Sequence, residues 1–211
     1  GKIPVLISAP HGAKHFRARE NRWKCEDAFT AAIAIKLGRL TGAHVIFVKN
    51  KTLEDPNNAL RCRYKDLLGK IVREHGIKFV MDIHGAGSEY PFKIDVGILD
   101  GRADKSSCPT FKHVIEKCLE GFDRGIFNKR FRARDPGTIT WFAWKKLGVE
   151  SAQFEISARY RRFEDGAGCP LKPDERGFSE LLGRLRSIVV DINRKVSGQA
   201  ARSSRTGRVP A

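Results

Sequence analysis

The chain has 211 residues, 41% of them hydrophobic and 30% charged, which suits one globular domain with its own core and leaves little room for a second. Its five cysteines, an odd number with no C-x-x-C pair, argue against a disulfide framework or a cysteine-built zinc site and fit free thiols in a reducing, cytoplasmic compartment. No apolar run approaches the ~18 residues of a membrane span, and the net charge of +16 favours anionic partners such as nucleic acid or acidic substrates.

The chain opens at Gly1 without a methionine, as it would after removal of a leader or tag, and no signal peptide is visible. Residues 3–8 form an apolar, β-branched run expected as the first strand. Residues 10–25 are polar and basic without a clean period and are expected as a long loop. A helix is expected over 26–40, with Phe29, Ile33, Leu37 and Leu40 at helical spacing and Gly42 as its left-handed cap. Ala43 to Val48 reads as a strand, 53–58 as a turn-rich loop, and 59–75 as a helix closed by His75-Gly76. Residues 77–83 are expected as a central strand, since Phe79 to Met81 is unbroken apolar sequence.

Phe92 to Leu99 alternates like a further strand with Asp95 inside it, and 110–120 has helical spacing. Residues 121–137 read as a second basic loop, 138–147 as a short helix, 151–157 as a strand and 158–173 as a polar loop. The last helix is expected from about Ser179 to Val196, followed by a disordered basic tail over 197–211 that carries three arginines. This order predicts an α/β fold: a three-layer α/β/α sandwich with a mostly parallel, mixed sheet, in a single domain over 1–196.

Two of the strands share a design. His11 and His84 each follow an apolar strand and precede a glycine, at the carboxyl edge where open α/β sheets place their sites. Zinc hydrolases commonly use two histidines and one carboxylate and leave a position for water. Glu26 or Asp27, at the start of the next helix, lies at the same edge, although carboxylates there also serve as caps. Asp82 shares a strand face with His84 and is expected either as a ligand or as a carboxylate orienting a histidine.

Glu155 interrupts an apolar strand, where a carboxylate is costly unless it pairs with a buried arginine or acts as a general base. His44 and His75 are expected at a strand start and a helix end, and His15 and His113 at the surface. The basic loops at 14–24 and 124–134 interleave Phe16, Trp23, Phe127 and Phe131, which suits gripping nucleic acid or recognising a substrate carboxylate. Asn57, Asn58, Arg61 and Arg63 fit a carboxylate-binding loop.

Over residues 3–160 the sequence resembles the N-formylglutamate amidohydrolase family, relatives of the zinc carboxypeptidases. The resemblance lies in Ser8-Ala9-Pro10-His11-Gly12, Glu26-Asp27, Asp55-Pro56-Asn57, Asp82-Ile83-His84-Gly85, Gly137-Thr138 and Gln153-Phe154-Glu155-Ile156. It implies a phosphorylase/hydrolase-like fold and one Zn²⁺ held by His11, His84 and either Glu26 or Asp27. It further implies Glu155 and Arg134 as catalytic residues, the arginine stabilising the oxyanion or anchoring a substrate carboxylate, with Arg61 second to it, and substrate contacts from Arg61, Asn57 and Thr138. The chain departs from the family in carrying Pro-His-Gly for Pro-His-Ser-Gly, and Asn57-Asn58 for Asn-Arg. It also has Lys14 where a carboxypeptidase would complete H-x-x-E.

The function expected is zinc-dependent hydrolysis of an amide bond by metal-activated water with a Glu general base, in a small acidic or N-acylated substrate such as an N-acyl or N-formyl amino acid or a small peptide. The alternatives are a basic nucleic-acid-binding protein and a non-catalytic member of the same fold.

Overall fold

In the computed structural model of the chain, the structure describes residues 1–100, 106–161 and 175–206. Among these described residues seven strands and five α-helices follow in order: β1 (Ile3–Ala9), β2 (His15–Arg17), β3 (Arg22–Lys24), α1 (Thr30–Thr41), β4 (Ala43–Phe47), α2 (Arg63–Glu74), β5 (Phe79–Ala86), β6 (Ile94–Gly97), α3 (Lys112–Leu119), α4 (Ile139–Leu147), β7 (Glu150–Ser157) and α5 (Glu175–Thr206). The main sheet has the order β4-β1-β5-β7-β6. Its first four strands are parallel, and β6 runs antiparallel to β7 at one edge.

Alternation on the strands divides the core in two. Val5, Ile7, Phe79, Met81, Ile83, Phe154 and Ile156 face a large cluster with Ile33, Leu37, Ile115, Leu185 and Ile188, from α1, α3 and α5. Leu6 and Val80 face a smaller cluster with Tyr64, Leu68 and Ile139, from α2 and α4. The three-layer α/β/α architecture is therefore as expected, and the short, antiparallel β6 is what makes the sheet mixed.

The smaller face is where the polar residues lie. Ser8, Asp82 and Gln153 form one row across three neighbouring strands, and His84, Glu155 and Asp95 form the next. All six are buried, and all replace apolar residues near the carboxyl ends of the parallel strands.

Several expected boundaries move. The loop at 10–25 contains the β2–β3 hairpin, which pairs His15 with Lys24 and stacks Phe16 edge-on against Trp23. The first helix starts at Thr30 instead of 26, because Phe29 adopts the left-handed conformation (φ 67°) and Thr30 Oγ1 donates to the Asp27 carbonyl, so 26–29 form a turn. The last helix continues to Thr206, through the segment expected to be disordered. Its Ala, Ser, Gln and Arg residues contain no proline, and adding turns to an existing helix avoids the cost of nucleation. Residues 207–211, most of the expected 158–173 loop and Cys169 lie outside the described residues. The other four cysteines are free thiols. No helix among the described residues is long and apolar enough to cross a membrane.

Candidate metal centre

At the carboxyl edge of the sheet, His11, Asp27 and His84 converge, each with a ligand atom within 4.8 Å of the others. His11 leaves β1 at its end, and His84 sits inside β5. Asp27 is brought in by its own backbone, whose N–H donates to the His11 carbonyl at 2.9 Å. Its Oδ2 lies 3.2 Å from His11 Nδ1 and 3.4 Å from His84 Nδ1 and accepts from Gly85 N at 3.0 Å.

Ligand atoms about 2.0–2.2 Å from a tetrahedral zinc ion stand about 3.3–3.5 Å apart. The two carboxylate–imidazole separations match that spacing, and two nitrogens with one oxygen form a donor set suited to zinc. The residues present therefore fit the metal that the sequence resemblance implies.

Each histidine is held from behind by a carboxylate. Asp55 Oδ1 bonds His11 Nε2 at 2.8 Å and Asp82 Oδ2 bonds His84 Nε2 at 3.0 Å, so both rings turn Nδ1 inward. Asp82 is thus an orienting carboxylate, itself steadied by the Ser8 hydroxyl, which donates to Oδ1 at 2.9 Å. Asp55 is steadied by Arg17, whose Nε donates to Oδ2 at 2.6 Å.

His11, His15 and Asp55 form a second group of metal-ligand spacing. There, however, the Arg17 guanidinium already supplies the cation to Asp55.

These contacts set the charges. Burial opposes protonation of His11, but its bonds to Asp27 and Asp55 outweigh that and raise its pKa. His84 is likewise opposed by burial and is pushed well above the usual histidine value by Asp82 and Asp27. Burial works against ionisation of Asp27, yet the two histidines hold it far below the usual carboxylate range. Glu155 goes the other way. Burial lifts it to about 7, His84 opposes the rise, and the Asp27 charge adds to it. Gln153 Nε2 donates to Glu155 Oε1 at 2.8 Å, while Gln153 Oε1 is buried without a partner.

A cleft of about 480 Å³ opens over this group, with Glu155 and Gln153 in its wall and Arg17, Arg130, Arg132 and Arg134 around it. The arginine-rich wall is anchored by Asp95, whose carboxylate accepts the backbone N–H groups of Lys129, Arg130 and Phe131. Lys65, almost fully buried, ties this wall to the opposite loop by donating to the Ala59 and Gly137 carbonyls.

The expected residues divide. His11, Asp27, His84, Glu155, Arg134, Asn57 and Thr138 all line the cleft. Glu26 does not: it is exposed and outside the group, whereas the adjacent Asp27 is drawn in by its backbone bond to the His11 carbonyl. Arg61 is also misplaced, lying in a separate groove with Leu60 and Trp141. Thr138 caps α4 by accepting from Trp141 N at 3.2 Å, and Asn57 Oδ1 accepts from Ile139 N at 2.8 Å, so both brace the wall. His15 is buried and stacked on His11 at 4.1 Å, where a surface residue was expected. Nothing in the sequence signals that Asp55 lies behind His11, that Arg17 holds Asp55 or that Arg161 spans the site, because these contacts join segments distant in the chain.

The fold and site together define an open α/β sheet carrying a two-histidine, one-aspartate group at its carboxyl edge. Among solved structures, N-formylglutamate amidohydrolase from Ralstonia eutropha JMP134 shares this fold at 13% identity, with TM-score 0.58 over 93% of this chain and 95% of that one. A bacteriophage poly-gamma-glutamate hydrolase is similar at 16% identity, with TM-score 0.55 over 92% and 85%. A gene product of Agrobacterium tumefaciens is similar at 14% identity, with TM-score 0.57 over 93% and 92%. No protein-family profile and no curated protein sequence matches the chain.

Proposed function

We propose that the protein is a zinc-dependent hydrolase of an amide bond in a small, carboxylate-bearing N-acyl or N-formyl compound. The observation that carries the proposal is the zinc-compatible spacing of His11, Asp27 and His84 in a cleft that also holds a buried carboxylate poised near neutrality. The fold shared with an N-formylglutamate amidohydrolase and a poly-gamma-glutamate hydrolase supports it.

Zinc held there supplies a Lewis acid for the amide carbonyl and lowers the pKa of water toward ~7. Glu155 acts as the general base. It accepts a proton from the attacking water as the new carbon–oxygen bond forms, then returns it to the nitrogen as the carbon–nitrogen bond breaks, leaving a carboxylic acid and an amine. The acid passes its proton to the amine to give carboxylate and ammonium. A pKa of about 7 suits both transfers at neutral pH. Gln153 keeps Glu155 aimed and offers its unpartnered Oε1 to a substrate N–H.

Arg134 anchors the substrate carboxylate. Its present partner, Asp100, lies 2.9 Å away in a half-exposed pair, and exposed pairs are weak enough (about 0–1 kcal/mol) for a ligand to displace. Arg17, Arg130 and Arg132 make the surrounding field positive.

The test is to load the protein with zinc, measure bound metal, and assay a panel of N-formyl and N-acetyl amino acids with acidic and neutral side chains. Stoichiometric zinc and turnover favouring acidic members are expected. A protein that retains no zinc at neutral pH, or turns over the panel equally well without it, would overturn the assignment.

A further inference from the structure

We propose, taking the metal assignment above as given, that Arg161 is the positioning residue that sets the geometry of the centre. Arg161 is almost fully buried, just past a short 3-10 turn after β7. Its guanidinium donates from Nε to the Ile156 carbonyl at 3.0 Å, from Nη1 to the Ala28 carbonyl at 2.8 Å and from Nη2 to the Ala86 carbonyl at 3.0 Å.

Those carbonyls belong to the three segments that carry the site. Ile156 follows Glu155, Ala28 follows Asp27, and Ala86 is two residues beyond His84. One rigid, planar fork thus ties the base, the aspartate and the second histidine together, although they come from segments distant in the chain. A lysine presents a single nitrogen and cannot span three acceptors in this way.

Gly85 makes the arrangement possible. A Cβ at residue 85 would collide with Cζ and Nη2 of Arg161, so the glycine after His84 is needed for the close approach of the guanidinium. The Gly85 N–H in turn donates to Asp27 Oδ2 at 3.0 Å, which couples the clamp directly to the ligand atom. A buried arginine that only satisfied carbonyls would support folding without governing the position of that oxygen.

The experiment compares wild type with R161A and R161K. It reads zinc affinity by chelator competition, hydrogen exchange of the Gly85 amide in the metal-free protein, and kcat and KM separately. In folded R161A, zinc affinity falls about 10- to 100-fold, the range typical of lost supporting contacts. Gly85 exchange accelerates, kcat falls with KM nearly unchanged, and millimolar guanidinium ion restores part of each.

R161K shows the same direction with a smaller loss, and it carries the test if R161A does not fold. Zinc affinity and Gly85 exchange equal to wild type in either folded variant would overturn the proposal. If wild type itself binds no zinc, the metal assignment fails, while Gly85 exchange still decides whether Arg161 sets the position of Asp27.

Discussion

The replacement E155Q isolates the chemistry attributed to Glu155. The glutamine is isosteric with the protonated acid and can keep the hydrogen bond from Gln153 Nε2, so packing changes little. Burial raises the Glu155 pKa from 4.5 to about 7. At 1.36 kcal/mol per unit, that is about 3 kcal/mol.

The sign follows from proton counting. Between pH 4.5 and 7 the folded state keeps a proton on Glu155 that the unfolded chain has released, so folded wild type loses stability as pH rises. E155Q has no such term. In chelator-treated protein, the stability of E155Q minus that of wild type should therefore grow by about 3 kcal/mol from pH 4.5 to above 7 and then level off. Urea denaturation across that range measures it. A difference that stays flat, or shrinks as pH rises, would show that burial does not raise the Glu155 pKa and would refute its poise near neutrality. With zinc restored, E155Q should hold metal like wild type and lose at least ~100-fold in kcat, the low end of what a positioned base contributes.

Four further outcomes follow from the contacts. D27N should lose zinc affinity by more than an order of magnitude while E26Q keeps it, as chelator competition would show, because only Asp27 faces the histidines. Zinc binding at neutral pH should release protons and tighten as pH rises. The raised pKa values of His11 and His84 favour their protonated forms in the metal-free protein, so a metal binding there displaces protons, and calorimetry in buffers of different ionisation enthalpy counts them. S8A removes the hydroxyl that donates to buried Asp82 and should cost about 1–3 kcal/mol in thermal unfolding, with weaker zinc binding. For an acidic substrate, KM should rise with ionic strength more than kcat changes, because salt screens the arginines around the cleft.

Much of the site was legible because it sits on strands. Alternation alone places Asp82 and His84 on one face, and a carboxylate inside the apolar run of β7 marks Glu155. The apolar runs of β1, β5 and β7 likewise reveal a buried parallel sheet, and its carboxyl edge is where both His-Gly pairs fall. These properties depend on the two-residue period of a strand, which any stretch of sequence displays by itself.

Loops carry no such period. The choice of Asp27 over Glu26 depends on one backbone hydrogen bond from Asp27 to the His11 carbonyl. Arg61 and Arg134 look equivalent as basic loop residues, yet only Arg134 faces the cleft, because Asp95 pins its loop from another strand. Asp55 behind His11 acts across 44 residues of chain, and Arg161 reaches the carbonyls beside His84 and Asp27 across 75 and 133. The sequence alone determined the sheet, its carboxyl edge and the two histidines, since each is written in local periodicity. Only the tertiary structure brings Asp27 beside the two histidines, sets Asp55 and Asp82 behind them and lays Arg161 on their backbone, because hydrogen bonds between distant segments leave no local pattern.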